Sequence, residues 1–121
     1  MTPADAEALR ARLRRAWSAR SSARWRAENP ALGQCSATAL VVQAALGGEI
    51  LKTLVDFEGG HAWHFYNRIA GRAHDFTASQ FALPIGYSDT PATRGEALAD
   101  TSEQQVAALS AAFRATASCP A

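Results

Sequence analysis

The 121 residues carry 48% hydrophobic and 19% charged side chains at a net charge of +1, which excludes a disordered chain and predicts one domain, residues 1–121, with a modest core. No apolar run approaches the ~18 residues a membrane helix needs, so no membrane partner is expected. Only two cysteines, Cys35 and Cys119, argue against a disulfide framework, and a start with Asp5 and Glu7 but no apolar signal core completes the expectation of a cytoplasmic protein.

Thr2 followed by Pro3 marks a helix start, a hydroxyl cap before a proline whose missing N–H is not needed there. Leu9, Leu13, Ala16 and Trp17 recur at helical spacing and predict an amphipathic helix over 3–17. Positive charge gathers in the same region: Arg10, Arg12, Arg14, Arg15, Arg20, Arg24 and Arg26 stand against Asp5 and Glu7. No aromatic binding motif interleaves with these arginines, so they read as a solvated face and no nucleic-acid partner is expected. Ser21-Ser22 predicts the cap of a short second helix carrying Trp25, ended by Asn29-Pro30.

A central helix is predicted over 35–46. Ala37, Leu40, Val41, Ala44 and Ala45 make it apolar nearly all round, hence buried, and Gly47-Gly48 stops it. Residues 49–57 read as a strand, 58–60 as a loop and 62–69 as an aromatic-rich strand. Ala70-Gly71 is the turn from which 72–77 pairs back. Prolines and glycines make 84–96 a loop region. Thr101 and Gln104, followed by Val106, Leu109 and Phe113, signal a closing helix over 101–116. Helices set apart from a small antiparallel sheet place the chain in the α+β class.

The chemistry centres on Cys35. The Pro30…Gly33 turn breaks the chain and a helical run begins at once, so the thiol falls in the first turn of a helix. Unsatisfied N–H groups and the positive end of the helix dipole converge there, and both favour a thiolate nucleophile. His64 and Asp75 follow in order on the predicted hairpin. With a two-residue turn at Ala70-Gly71, Ile69 sits opposite Arg72 and Tyr66 opposite Asp75, which makes His64 and Asp75 diagonal neighbours on one face. His74 falls on the other face, and a one-residue slip would exchange the two. The implied constellation is a Cys35-His64-Asp75 triad acting on an amide, peptide or thioester, with no cofactor. Cys35 attacks a carbonyl, His64 carries the proton and Asp75 fixes the imidazole. The Cys35 N–H, helped by Gln34, would bind the oxyanion, and Trp63 and Trp25 would wall the cleft. Cys119, beside Pro120, reads as incidental.

Two other readings stay open. One is a non-catalytic binding module using a surface of Trp25, Trp63, Phe65 and Tyr66. The other is a zinc site drawn from His61, His64, His74, Asp75 and Cys35, although positions three apart on a strand point to opposite faces. Gly47-Gly48 follows a helix, the reverse of what a phosphate cradle needs. Ser36, Thr38, Thr77 and Ser79 stand in no nucleophile-elbow context.

Asn29-Pro-Ala-Leu-Gly-Gln-Cys-Ser-Ala-Thr-Ala-Leu-Val-Val-Gln43 resembles the YunG-like family of small bacterial proteins. Gly47–Lys52, His64–Ile69 and His74–Phe81 carry the same resemblance, which runs from about Trp17 to Tyr87. More remotely, Gly33-Gln34-Cys35 resembles the Gly-Gln-Cys around the transglutaminase nucleophile. The order cysteine, histidine, aspartate is similar to that of the papain-like superfamily. That remote resemblance implies a minimal papain-like core, a cysteine-bearing helix on an antiparallel sheet, with Cys35, His64 and Asp75 in the catalytic roles.

Overall fold

The computed structural model describes residues 1–117, so Cys119 lies outside the described residues. Helix α1 spans Pro3–Ala16, and its start follows from the side chains named above. Thr2 Oγ1 accepts from Asp5 N–H at 3.1 Å while Asp5 accepts from Thr2 N–H at 2.8 Å, a reciprocal cap. No helix forms around Trp25. The serine hydroxyls that would cap one satisfy nearby backbone instead: Ser21 Oγ accepts from Ser18 N–H and Ser22 Oγ from Arg24 N–H, so 18–34 is a series of turns.

Helix α2 spans Cys35–Leu46 and ends at Gly47, as its apolar run and the glycine pair predict. Gly48 then takes φ 80°, and a Cβ there would stand 2.1 Å from the Arg68 carbonyl oxygen. Only glycine fits between the end of α2 and the sheet. Strand β1 (Glu49–Phe57) pairs antiparallel with β2 (Gly60–Ile69), and β2 with β3 (Arg72–His74). The turn between β2 and β3 has Ala70 at φ 52° and Gly71 at φ 80°, the two left-handed residues of a tight hairpin. Its register pairs Ile69 with Arg72 and Asn67 with His74, as the two-residue turn requires.

β3 is shorter than the sequence suggests. Asp75 Oδ1 accepts from Thr77 N–H two residues on, at 3.2 Å, and this side-chain turn takes the chain out of the ladder after His74. The region read as a loop over 84–96 contains a short strand β4 (Thr90–Ala92) on the free edge of β1 and the start of helix α3 (Arg94–Ala99), capped reciprocally by Thr93 and Glu96. Helix α4 spans Glu103–Ala117 and is capped by Ser102 Oγ accepting from Gln105 N–H at 3.1 Å, one residue past the expected Thr101. The sheet order is β3-β2-β1-β4, fully antiparallel, and with the four α-helices of the described residues the fold is α+β.

Two apolar clusters hold these layers. Leu9, Leu13 and Trp17 from the N-terminal region meet Leu109 and Phe113 of α4, Val42 of α2 and Phe76. Ala39 and Leu40 of α2 close over Ile50 and Phe65 of the sheet with Ala97 of α3. Asn67, fully buried, donates to the Ala39 carbonyl at 3.0 Å and so fixes α2 on the sheet. The opposite sheet face, carrying Leu51, Thr53, His64 and Tyr66, is covered by segment 81–89. There Thr53 donates to the Gly86 carbonyl at 2.9 Å and Tyr66 donates to Asp89 at 2.7 Å. The N-terminal arginines are partly engaged within the fold: Arg10 pairs with Glu7, Arg24 with Glu58 and Arg26 with Glu28, and Arg12 donates to Thr116. Among the described residues, no helix is long and apolar enough to cross a membrane.

Candidate active site

Cys35 occupies the first position of α2 and lines a cleft of about 300 Å3 together with His64, Trp63, Phe81, Arg24 and Asp100. Gly33, two residues before the thiol, has φ 72°, and a Cβ there would lie 2.4 Å from Ser22 Oγ; conformation and space both demand glycine where the chain turns into the helix. The β2–β3 register places His64 and Asp75 diagonally, and their side chains meet: His64 Nε2 lies 2.7 Å from Asp75 Oδ2. The pair is almost closed to water, with side-chain exposures of 1% and 7%. Phe81 stands edge-on to the imidazole, centroids 4.9 Å apart.

Burial opposes charge on His64, yet the hydrogen bond to Asp75 and the attraction of Cys35 and Asp75 outweigh it and raise its pKa to about 9. The charged form of the ring is therefore favoured in spite of its burial. With Nε2 bound to Asp75, Nδ1 is the nitrogen left for the thiol; it is buried and has no hydrogen-bond partner at normal distance. Cys35 stands close enough to be felt by the ring without closing a full hydrogen bond.

Asp75 is held from several sides. Oδ1 accepts from the Thr77 N–H at 3.2 Å and the Thr77 hydroxyl at 3.4 Å, and Oδ2 accepts from Tyr87 OH at 2.6 Å besides His64. Gln80 ties this end of the site to the other. Its Nε2 donates to Thr77 Oγ1 at 3.1 Å, and its Oε1 accepts from the Gly33 N–H at 3.1 Å. A continuous chain of hydrogen bonds thus runs from the turn before Cys35 to the carboxylate beside His64. Asp100 accepts from Ser36 Oγ at 2.8 Å, which places a carboxylate at the start of α2. Arg24 lies over the Phe57 ring at 4.8 Å and pairs with Glu58, forming one rim.

Cys35, His64, Asp75 and Trp63 come together. Trp63 is 46% exposed, with Lys52 Nζ 4.5 Å from its ring centroid. Gln34 and Trp25 are placed elsewhere. The Gln34 side chain is fully buried and donates to the Ser18 carbonyl at 3.3 Å, so it braces the turn and does not line the cleft. Trp25 packs on the cluster between α1 and α4 rather than walling the cleft. The zinc candidates diverge: His61 faces Asp56 in solvent, and His74, its pKa lowered by burial and by Arg72, stacks on Phe76. Among the described residues no three His, Cys, Asp or Glu side chains gather as a metal site. Gln80, Phe81, Tyr87 and Asp100 carry no signal in the sequence that would single them out, because they reach the site from loops without periodicity. Only the backbone-turning role of Gly33 was written in its residue type.

No solved structure matches this chain. The sequence model described as YunG protein matches residues 5–118. The uncharacterized protein YunG of Bacillus subtilis (strain 168) is 48% identical over 101 residues, covering 84% of this chain and 84% of that protein. A match across nearly the whole chain, including the cysteine helix and the histidine hairpin, shows that this protein belongs to the YunG family.

Proposed function

We propose that this protein is a cysteine enzyme acting on an amide or thioester, by hydrolysis, deamidation or acyl transfer. The observation that carries the reading is the buried His64–Asp75 pair, with one imidazole nitrogen left bare beside Cys35 at an open cleft. Burial of such a pair is costly and is a weak device for stability alone, which favours a chemical role.

In this reading the resting site holds an imidazolium beside a thiolate. Cys35 Sγ attacks the carbonyl carbon, and the resulting oxyanion is met by backbone N–H groups at the start of α2, the Cys35 N–H first. The tetrahedral intermediate expels its amine or thiol, which takes the proton from His64, and a thioester to Cys35 remains. Water or an acceptor amine then attacks that thioester, giving its proton to His64, and the product leaves with the thiolate restored. Asp75 holds the imidazole tautomer and orientation throughout.

The test is the rate of iodoacetamide alkylation at Cys35 against pH, in Cys119→Ser and in Cys119→Ser/His64→Ala. Labelling is expected to be fast in the first and to slow markedly in the second. Slow labelling indifferent to His64 would sink the triad. On a genuine acyl substrate, Cys35→Ala and His64→Ala should each cost about 10^3-fold or more in kcat while the circular dichroism spectrum stays native.

A binding role without chemistry is the second reading, favoured by the half-exposed Trp63 with a lysine over its ring. It predicts that Cys35→Ala leaves partner binding unchanged.

A further inference from the structure

Segment 81–89 does more than cover the sheet, because its one tyrosine touches the carboxylate that His64 depends on. Tyr87 OH donates to Asp75 Oδ2 at 2.6 Å, and His64 Nε2 meets that same oxygen at 2.7 Å. The two donors therefore share one acceptor atom, and the other oxygen is taken by Thr77. The segment is seated independently of this contact. Tyr66 OH donates to Asp89 Oδ1 at 2.7 Å and accepts from the Asp89 N–H at 2.7 Å, with Asp89 at φ 51°, while Ser88 N–H donates to Thr53 Oγ1 at 3.0 Å. The Tyr87 ring rests edge-on against Tyr66, centroids 5.0 Å apart. Tyr66, Asp75, Tyr87 and Asp89, with Ala73, line a second cavity of about 310 Å3, so Asp75 is approached both from the Cys35 cleft side, through His64, and from this cavity.

We propose that Tyr87 is a positioning residue of the Cys35-His64-Asp75 site, its hydroxyl dividing the Asp75 charge with His64 and so linking the state of the imidazole to the seating of segment 81–89. The inference rests on the catalytic reading above and adds a control to it. A carboxylate oxygen that accepts two strong hydrogen bonds binds each donor less tightly than it would bind one. Tyr87 thus tempers the hold of Asp75 on the imidazolium, which must surrender a proton to the leaving group. Burial and the bond to Asp75 both push the Tyr87 phenol up, so it stays protonated and a donor across the working range. The other groups facing His64 are Cys35 and Tyr66; Tyr66 is also pushed up by burial, then by its bond to Asp89, and stays neutral.

The experiment follows the His64 ring protons by NMR against pH in the whole chain, in Tyr87→Phe and in Leu83→Ala. Leu83 lies in the same segment and is 79% exposed, so its variant controls for general loosening. Tyr87→Phe is expected to move the His64 midpoint upward by roughly half a unit, with Leu83→Ala unchanged. A midpoint unmoved or lowered in Tyr87→Phe, or moved equally in Leu83→Ala, overturns the inference. The NMR titration needs no substrate and no reactive thiol. If His64→Ala leaves Cys35 alkylation unaltered, the catalytic reading fails by itself, while the His64 midpoint still decides the role of Tyr87.

Discussion

A histidine closed off from water is ordinarily neutral, since burial penalises its charged form. His64 departs from this because Asp75 lies 2.7 Å away and because Cys35 adds to the pull. Removing the carboxylate should therefore expose the burial effect. In Asp75→Asn the His64 midpoint is expected to fall from about 9 to below the usual histidine value of 6.5, read from the ring-proton shifts. The variant should also lose on the order of 3 kcal/mol at neutral pH, measured by denaturant unfolding, because one partner of a buried pair has gone. Cys35, His64 and Asp75 were legible in the sequence because each carries its own signal: a thiol after a chain-breaking turn, and two residues whose parity puts them on one strand face. Gln34 and Trp25 were misplaced because packing, not spacing, decides where a buried amide or an indole points. Tyr87 and Gln80 were illegible because hydrogen bonds made from loops leave no period behind.

At the scale of elements, the hairpin turn at Ala70-Gly71 carries the greatest consequence for its size, since it alone sets which residue meets His64. Ala70 holds φ 52°, a left-handed conformation costly for a residue with a Cβ and much less so for asparagine. Ala70→Asn should stabilise the protein by about 0.5–1 kcal/mol in urea unfolding and leave the Cys35 alkylation profile unchanged. A loss of stability would show that the turn is not left-handed at this position. The bounds of α1, α2 and β1 followed from local signals, the Thr2-Pro3 start and the Gly47-Gly48 stop. Elements that failed to follow were governed by competition between side chains and backbone. Serine hydroxyls dissolved the expected helix at Trp25, the Asp75 carboxylate cut β3 short, and the Thr93–Glu96 cap raised α3 out of a segment rich in proline and glycine.

For the whole molecule, the raised His64 ties folding to the same proton that the chemistry needs. A group whose folded pKa lies above its unfolded value lends stability that is fully present below about 6.5 and is lost as pH rises through about 9. Stability is thus expected to fall by about 2–3 kcal/mol between about pH 7 and about pH 9.5. His74, whose pKa is lowered, acts only on the acid side of that window. Chemical denaturation at the two pH values checks this, and a flat profile would mean that His64 is neutral in the native state. The YunG relative shares 48% of the aligned residues, which leaves wide freedom for sequence to drift. The hairpin restricts one kind of drift severely. A one-residue slip of β3 against β2 at the Ala70-Gly71 turn turns the returning strand by one face and would offer His74 to His64 in place of Asp75. Descendants that keep the pair must keep Ile69 opposite Arg72, so a change at the turn that shifts this pairing by one residue should mark lineages in which this histidine has lost its carboxylate.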